Sequence, residues 1–221
     1  MDLRQTNLDQ ARFNMVEQQI RTWEVLDQEV LDLLFKIRRE EFAPFESRSL
    51  AFVDMEIPLG FGEVMLAPKL EARMLQELTL KPNDRVLEIG TGSGYMTALL
   101  AQRAILVDSV EINPELSAFA AKNLAAHYIH NVKLHIGDGA KGWSGGPYDA
   151  IVLTGSTPVL SPAFFDILKP NGRLLAVLGD APVMKATLFH ATEKKESSKV
   201  ILFETCIPLL KNAPQPERFI F

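Results

Sequence analysis

Arg85-Val-Leu-Glu-Ile-Gly-Thr-Gly-Ser-Gly-Tyr95 is the stretch on which the fold turns. Val86, Leu87 and Ile89 read as a short buried strand. Gly90, Gly92 and Gly94 form a loop whose backbone can turn sharply and lie close to a ligand. Tyr95 to Ala104 reads as a helix. Strand, glycine loop and helix in that order open a βαβ unit. Working downstream, strands are expected at Leu106–Glu111, Val132–Ile136, Tyr148–Leu153 and Arg173–Leu178. Helices are expected between them at Pro114–His127 and Pro162–Leu168, the latter ending at Pro170-Asn171-Gly172. This alternation predicts an α/β, Rossmann-like fold with a mostly parallel sheet.

Two further strand-like runs, Met184–His190 and Lys199–Pro208, flank a charged turn at Ala191–Ser198 and predict a C-terminal antiparallel hairpin at one sheet edge. Lys211–Phe221, with Pro214 and Pro216, reads as an extended tail. Upstream, Phe13, Val16 and Ile20 fall at helical spacing, and Asp27 can cap a helix carrying Val30, Leu34 and Ile37 on one face. Ala51–Pro68 is rich in Gly and Pro and reads as a loop, followed by a helix over Pro68–Leu78. The expected organisation is an N-terminal helical extension with a substrate loop over 1–80 and a Rossmann-like core over 81–221, forming one compact unit.

The 221 residues are 47% hydrophobic and carry a net charge of −5. That acidity gives no general attraction for nucleic acid or anionic lipid. No secretory leader and no membrane-spanning apolar run is read, so a cytoplasmic protein is expected. The single cysteine, Cys206, is expected to be a buried thiol.

The glycines are spaced G-x-G-x-G, with Tyr95 where the dinucleotide pattern G-x-G-x-x-G has its last glycine. A dinucleotide rests its pyrophosphate on the helix N-terminus. S-adenosylmethionine has no phosphate and needs only close backbone approach and polar partners, so this spacing favours it over a nicotinamide cofactor. Glu111 ends the next strand, where a carboxylate can accept from two ribose hydroxyls. Asp138, in Gly137-Asp138-Gly139, can accept from an adenine amino group or make a simple Asx turn. All three features lie at C-terminal strand ends, where ligands bind in open α/β sheets.

The sequence resembles the protein-L-isoaspartate O-methyltransferase family from about Phe13 to Leu209. Met15-Val-Glu-Gln-Gln-Ile-Arg21, Arg38-Arg-Glu-Glu-Phe-Ala-Pro44, the cofactor loop, Gly137-Asp-Gly-Ala-Lys-Gly-Trp143, Tyr148-Asp-Ala-Ile-Val152 and Ile207-Pro-Leu209 carry the likeness. The resemblance implies methyl transfer from S-adenosylmethionine, leaving S-adenosylhomocysteine, to the α-carboxylate of isoaspartyl residues in damaged proteins. It also implies a monomer. Cofactor contacts are expected at Glu88, Gly90, Thr91, Gly92, Ser93, Gly94, Tyr95, Glu111, Ile112, Asp138 and Gly139.

The family's substrate loop reads G-x-G-Q-T-I-S-Q-P, and its serine is taken as the active-site residue. Here the stretch is Gly60-Phe-Gly-Glu-Val-Met-Leu-Ala-Pro68, with Leu66 at the serine position. Substrate contacts are expected at Gly62, Glu63, Leu66, Ala67 and Thr154, with no catalytic residue assigned. The altered loop leaves two alternatives: a different, small-molecule acceptor, for which Glu63 is the nearest base, or a module that binds the cofactor without chemistry. A carboxylate acceptor needs no base, because it is already ionised at neutral pH. No metal site is expected. His127 and His130 read as surface or cap residues, His135 and His190 have no evident partners, and Trp143 reads as packing.

Overall fold

The computed structural model describes residues 3–192 and 197–217. Seven strands form the main sheet: β3 (Arg85–Ile89), β4 (Leu106–Glu111), β5 (Val132–Ile136), β6 (Tyr148–Thr157), β7 (Leu168–Asp180), β8 (Val183–Ala191) and β9 (Ser197–Thr205). Their order is β5-β4-β3-β6-β7-β8-β9. The first five are parallel, and β8 and β9 are added antiparallel, as the two late apolar runs predict. The chain lays down β3, steps outward through β4 and β5, then returns to place β6 on the other side of β3. That reversal opens a crevice beyond the C-terminal ends of β3 and β6, the switch point of the sheet.

Alternate residues of the central strands face two separate cores. Val86, Ala150, Val152, Leu175 and Val177 join the core that holds the N-terminal elements. Leu87, Ile89, Ile151, Leu153 and Leu174 join the other, with Phe164 and Leu168. Strands buried on both faces carry near-continuous apolar runs, which is why their periodicity is faint in the sequence.

The covering helices follow local signals. In α2 (Gln28–Lys36), Asp27 accepts from the Glu29 and Val30 amides and buries Val30, Leu33 and Leu34. Pro68 begins α3 (Pro68–Leu78), Tyr95 begins α4 (Tyr95–Ala101), and Asn113 caps α5 (Pro114–Ala126) through the Glu115 and Leu116 amides. α1 (Leu3–Asn14) continues into a π-helical stretch over Met15–Ile20. This shifts the buried face to Met15, Val16 and Ile20 and leaves Phe13 half exposed, against the expectation of a simple helical stripe.

Several expectations are corrected. The loop over 51–68 contains a hairpin, β1 (Ile57–Gly60) with β2 (Glu63–Met65). Gly60, Phe61 and Gly62 all have positive φ at its tip, a turn two glycines make feasible. The helix expected over 162–168 shrinks to α6 (Ala163–Asp166). Leu168 already pairs with Tyr148, and the Tyr148 amide donates to the Ile167 carbonyl at 2.8 Å, so Pro170–Gly172 enters the strand as an irregularity. β6 runs past Leu153 to Thr157: Ser156 and Thr157 pair with Val177 and Leu178 of β7, and on its other side the Ser156 amide donates to Pro208 and its carbonyl accepts from Leu210. Cys206 is exposed, not buried. The charged turn at 193–196 and the tail end at 218–221 lie outside the described residues. Among the described residues, no helix is long and apolar enough to cross a membrane.

Candidate active site

Gly90 leaves β3 with φ +99°, followed by Gly92 at +54° and Gly94 at +82°. A side chain at Gly90 would place its Cβ 2.3 Å from the Thr154 hydroxyl oxygen. That hydroxyl donates to the carbonyls of Ile89 and Gly90 at 3.0 and 2.5 Å, tying the end of β3 to β6 across the switch point. The loop is thus held open by glycine and pinned by threonine.

Glu111 stands opposite, at the end of β4. Its Oε2 accepts from the Gly92 amide at 2.9 Å and its Oε1 from the Asn113 amide at 3.0 Å. An ionised carboxylate has about four acceptor sites. Two are used to fix its orientation, and the remainder are free for hydroxyl donors. Asp138 makes the Asx turn to the Ala140 amide at 3.0 Å, while its other oxygen accepts from Asn212 Nδ2 at 3.0 Å.

Three adjoining cavities of about 400, 410 and 280 Å³ meet at Gly90. The first is bounded by Glu111, Ile112, Asp138 and Gly139, with Glu63 and Lys211 at its rim. The second shares Glu63, Gly90, Glu111 and Leu210 and adds Leu66, Thr154 and Leu209. The third runs under the loop past Thr91, Gly92, Ser93, Met96 and Leu66 to Glu71. The structure therefore brings most of the expected cofactor residues and most of the expected substrate residues to one cleft. Gly62 sits in the exposed tip of the hairpin, and Ala67, the N-cap of α3, lines none of these cavities. Gly94 is packed against Ala120 of α5.

Two expected contacts lie below the cleft instead of in it. Glu88 is fully buried, and its Oε2 accepts from Thr97 Oγ1 and from Ser109 Oγ at 2.6 Å. Its Oε1 has no partner, and burial pushes its pKa up to about 8. Tyr95 is buried against Phe42, with the Arg39 guanidinium 5.1 Å from its ring centre. Both residues support the loop from behind.

Arg39 entered the sequence reading only within the Arg38–Pro44 motif, with no role assigned, yet it anchors the acceptor side. Almost wholly buried, it pairs with Glu71 of α3 and donates to the carbonyls of Leu66 and of Ala51, the latter at 3.0 Å. Burial raises the Glu71 pKa to about 7, opposed by the Arg39 charge. Lys211 is the other unforeseen residue: its Nζ lies 2.9 Å from Glu63 Oε1 and donates to the Phe61 carbonyl at 3.3 Å. Neither partnership has a local sequence signature, because each joins distant segments. His135 does have a partner, Asp108 at 2.8 Å, and His127 stacks on Phe42. Among the described residues no metal-binding cluster is found.

The model of the protein-L-isoaspartate(D-aspartate) O-methyltransferase family matches residues 10–210. A protein-L-isoaspartate O-methyltransferase of Methanoculleus marisnigri is 41% identical over 169 residues, which is 76% of this chain and 77% of the relative. One of Petrotoga mobilis is 37% identical over 202 residues, or 89% and 93%. Among solved structures, a protein-L-isoaspartate O-methyltransferase is 26% identical with a TM-score of 0.76, covering 90% of this chain and 65% of that one. A Plasmodium falciparum chain described by the same activity, in complex with S-adenosyl-L-homocysteine, shares the fold at 23% identity and a TM-score of 0.75, covering 90% and 97%.

Proposed function

The chain belongs to the protein-L-isoaspartate(D-aspartate) O-methyltransferase family, and from that premise we propose that it methylates the α-carboxylate of L-isoaspartyl residues in damaged polypeptides. The observation that carries the reading is the shared wall of the cleft. Glu111 and Gly90 border both the lobe of Ile112 and Asp138 and the lobe of Leu66 and Thr154, so a cofactor in one lies beside an acceptor in the other.

The residues present fit S-adenosylmethionine. Glu111, oriented by two backbone amides, has acceptor capacity left for the ribose hydroxyls. Asp138 stands at the far end of the same lobe for the adenine amino group. The positive-φ glycines give the close approach that a methionine moiety requires. Glu63, Glu111 and Asp138 make the cleft acidic, which suits a cationic sulfonium. When bound, S-adenosylmethionine supplies a methyl group on sulfur that is displaced by an oxygen nucleophile.

The chain's own contribution is to bind, align and exclude water. Alignment of two bound reactants can contribute ~7–11 kcal/mol. The acceptor carboxylate is ionised at neutral pH and needs no base. In keeping with this, the one carboxylate on the acceptor hairpin, Glu63, is engaged by Lys211. Leu66 offers the acceptor an apolar wall. The acceptor lobe shares Pro208 and Leu209 with an 850 Å³ groove along Gly179, Met184 and Cys206, which gives an extended peptide room to lie. The reading extends to a cytoplasmic monomer acting on polypeptides; the net charge of −5 speaks against nucleic acid as the acceptor.

Mass spectrometry of an isoaspartyl peptide incubated with protein and S-adenosylmethionine tests this. A transient methyl ester is expected, followed by loss of methanol to the succinimide. A peptide that stays unmodified, in the presence of protein that binds the cofactor, would overturn the proposal.

A further inference from the structure

An anionic acceptor has to enter a cleft whose walls already carry Glu63 and Glu111. The hairpin provides no side-chain donor to receive it, because Leu66 is apolar. The Thr154 hydroxyl is spent on the carbonyls of Ile89 and Gly90, and that of Thr91 is shared with Ser109 at 2.6 Å. Among the described residues lining the three cavities, Lys211 is the one basic side chain.

We propose that Lys211 binds the acceptor's carboxylate, and that Glu63 occupies its ammonium group until an acceptor replaces it. The inference rests on the isoaspartyl reading above. Glu63, Gly90 and Glu111 line both main cavities, and Lys211, whose ammonium group lies 2.9 Å from the Glu63 carboxylate, lines the first beside them. The side chains of both partners are partly exposed, 45% for Lys211 and 26% for Glu63. An ion pair this open to water contributes little to stability, so exchanging one carboxylate for another costs little. The ammonium has three donors on a flexible stem. The backbone around it, in contrast, is fixed: the Leu210 amide donates to the Ser156 carbonyl at 2.9 Å, the Ala213 amide donates to the Leu210 carbonyl at 3.1 Å, and the Asn212 side chain donates to Asp138 at 3.0 Å. The side chain can swing while its root stays still. Lys211 thereby supplies from the C-terminal segment the polar contact that Leu66 cannot make.

The test is steady-state methylation of a C-terminally amidated isoaspartyl peptide by wild type, Lys211→Met, Lys211→Arg and Glu63→Gln, with cofactor affinity measured separately by calorimetry. Lys211→Met is expected to raise the peptide KM roughly tenfold or more, with cofactor affinity little changed. Lys211→Arg should retain most of the wild-type KM, and Glu63→Gln, which removes the competing carboxylate, should lower it. An unchanged peptide KM in Lys211→Met, a loss confined to cofactor affinity, or a raised KM in Glu63→Gln would each overturn the inference while leaving the isoaspartyl reading intact. Wild type that transfers no methyl to the peptide would overturn both. Because Glu63→Gln keeps Lys211 in place, it decides the matter even if a Lys211 variant folds poorly.

Discussion

Glu111 and Glu88 are two glutamates one strand apart, and their surroundings give them different work. Glu111 is held in place at the cleft by two amides, with acceptor sites to spare. Replacing it by alanine removes charge-assisted bonds worth ~1.5–3 kcal/mol, so the dissociation constant for S-adenosylhomocysteine should rise roughly tenfold to a hundredfold in calorimetry. Its position was legible because a carboxylate ending the second strand is a local pattern. Glu88 was legible only as part of the loop motif. That its side chain turns down between Thr97 and Ser109, outside the lining of the cleft, depends on which face of β3 meets α4 and β4, and two-sided burial hides that from the sequence. The same limit applies to Cys206, whose apolar neighbours in sequence do not cover it in space.

At the scale of elements, the glycine loop and the βα units follow from short-range signals: caps, glycines and apolar runs. The acceptor hairpin does not. Gly60 to Pro68 reads as a loop, and the long-range bonds of Arg39 to Glu71, Leu66 and Ala51 tie α3 to the segments on either side of the hairpin, beyond the pairing of β1 with β2 and their shared core. Arg39→Met would leave the Glu71 carboxylate buried without its partner. Loss of ~3–5 kcal/mol of stability is expected in urea titration. Arg39→Met combined with Glu71→Leu should recover much of that loss, since two apolar residues replace the pair. Equal stability of single and double variants would show that the ion pair does not hold this unit. The extension of β6 to Thr157 was likewise hidden, because Ser156 and Thr157 resume pairing with β7 only after a register shift and Ser156 also bonds the segment after β9.

At the scale of the whole molecule, the sheet reversal between β3 and β6 creates the crevice, the N-terminal elements cover one face, and the C-terminal segment closes the rim through Lys211 and Asn212. The central buried carboxylate sets a pH dependence. Glu88 has a folded pKa of about 8 against an ordinary value of 4.5. Below about pH 4.5 both folded and unfolded chains hold the proton; between the two values only the folded chain does, so its contribution to stability is progressively lost as pH rises towards 8. The difference in Tm between Glu88→Gln and wild type should therefore move in favour of the variant from pH 5 to pH 9 by calorimetric scans, and a difference independent of pH would refute this role. The parallel sheet was evident in the alternation of strands and helices, whereas the closure of the rim was not, since it joins the C-terminal segment to Phe61, Glu63 and Asp138, far away in sequence. This cleft is expected to transfer a methyl group to an isoaspartyl carboxylate despite Leu66. The most direct measurement is transfer of labelled methyl from S-adenosylmethionine to two peptides that differ only in an isoaspartyl or a normal aspartyl linkage. Base-labile label on the isoaspartyl peptide alone is the predicted result; label on neither peptide, from protein that binds the cofactor, or equal label on both, would contradict it.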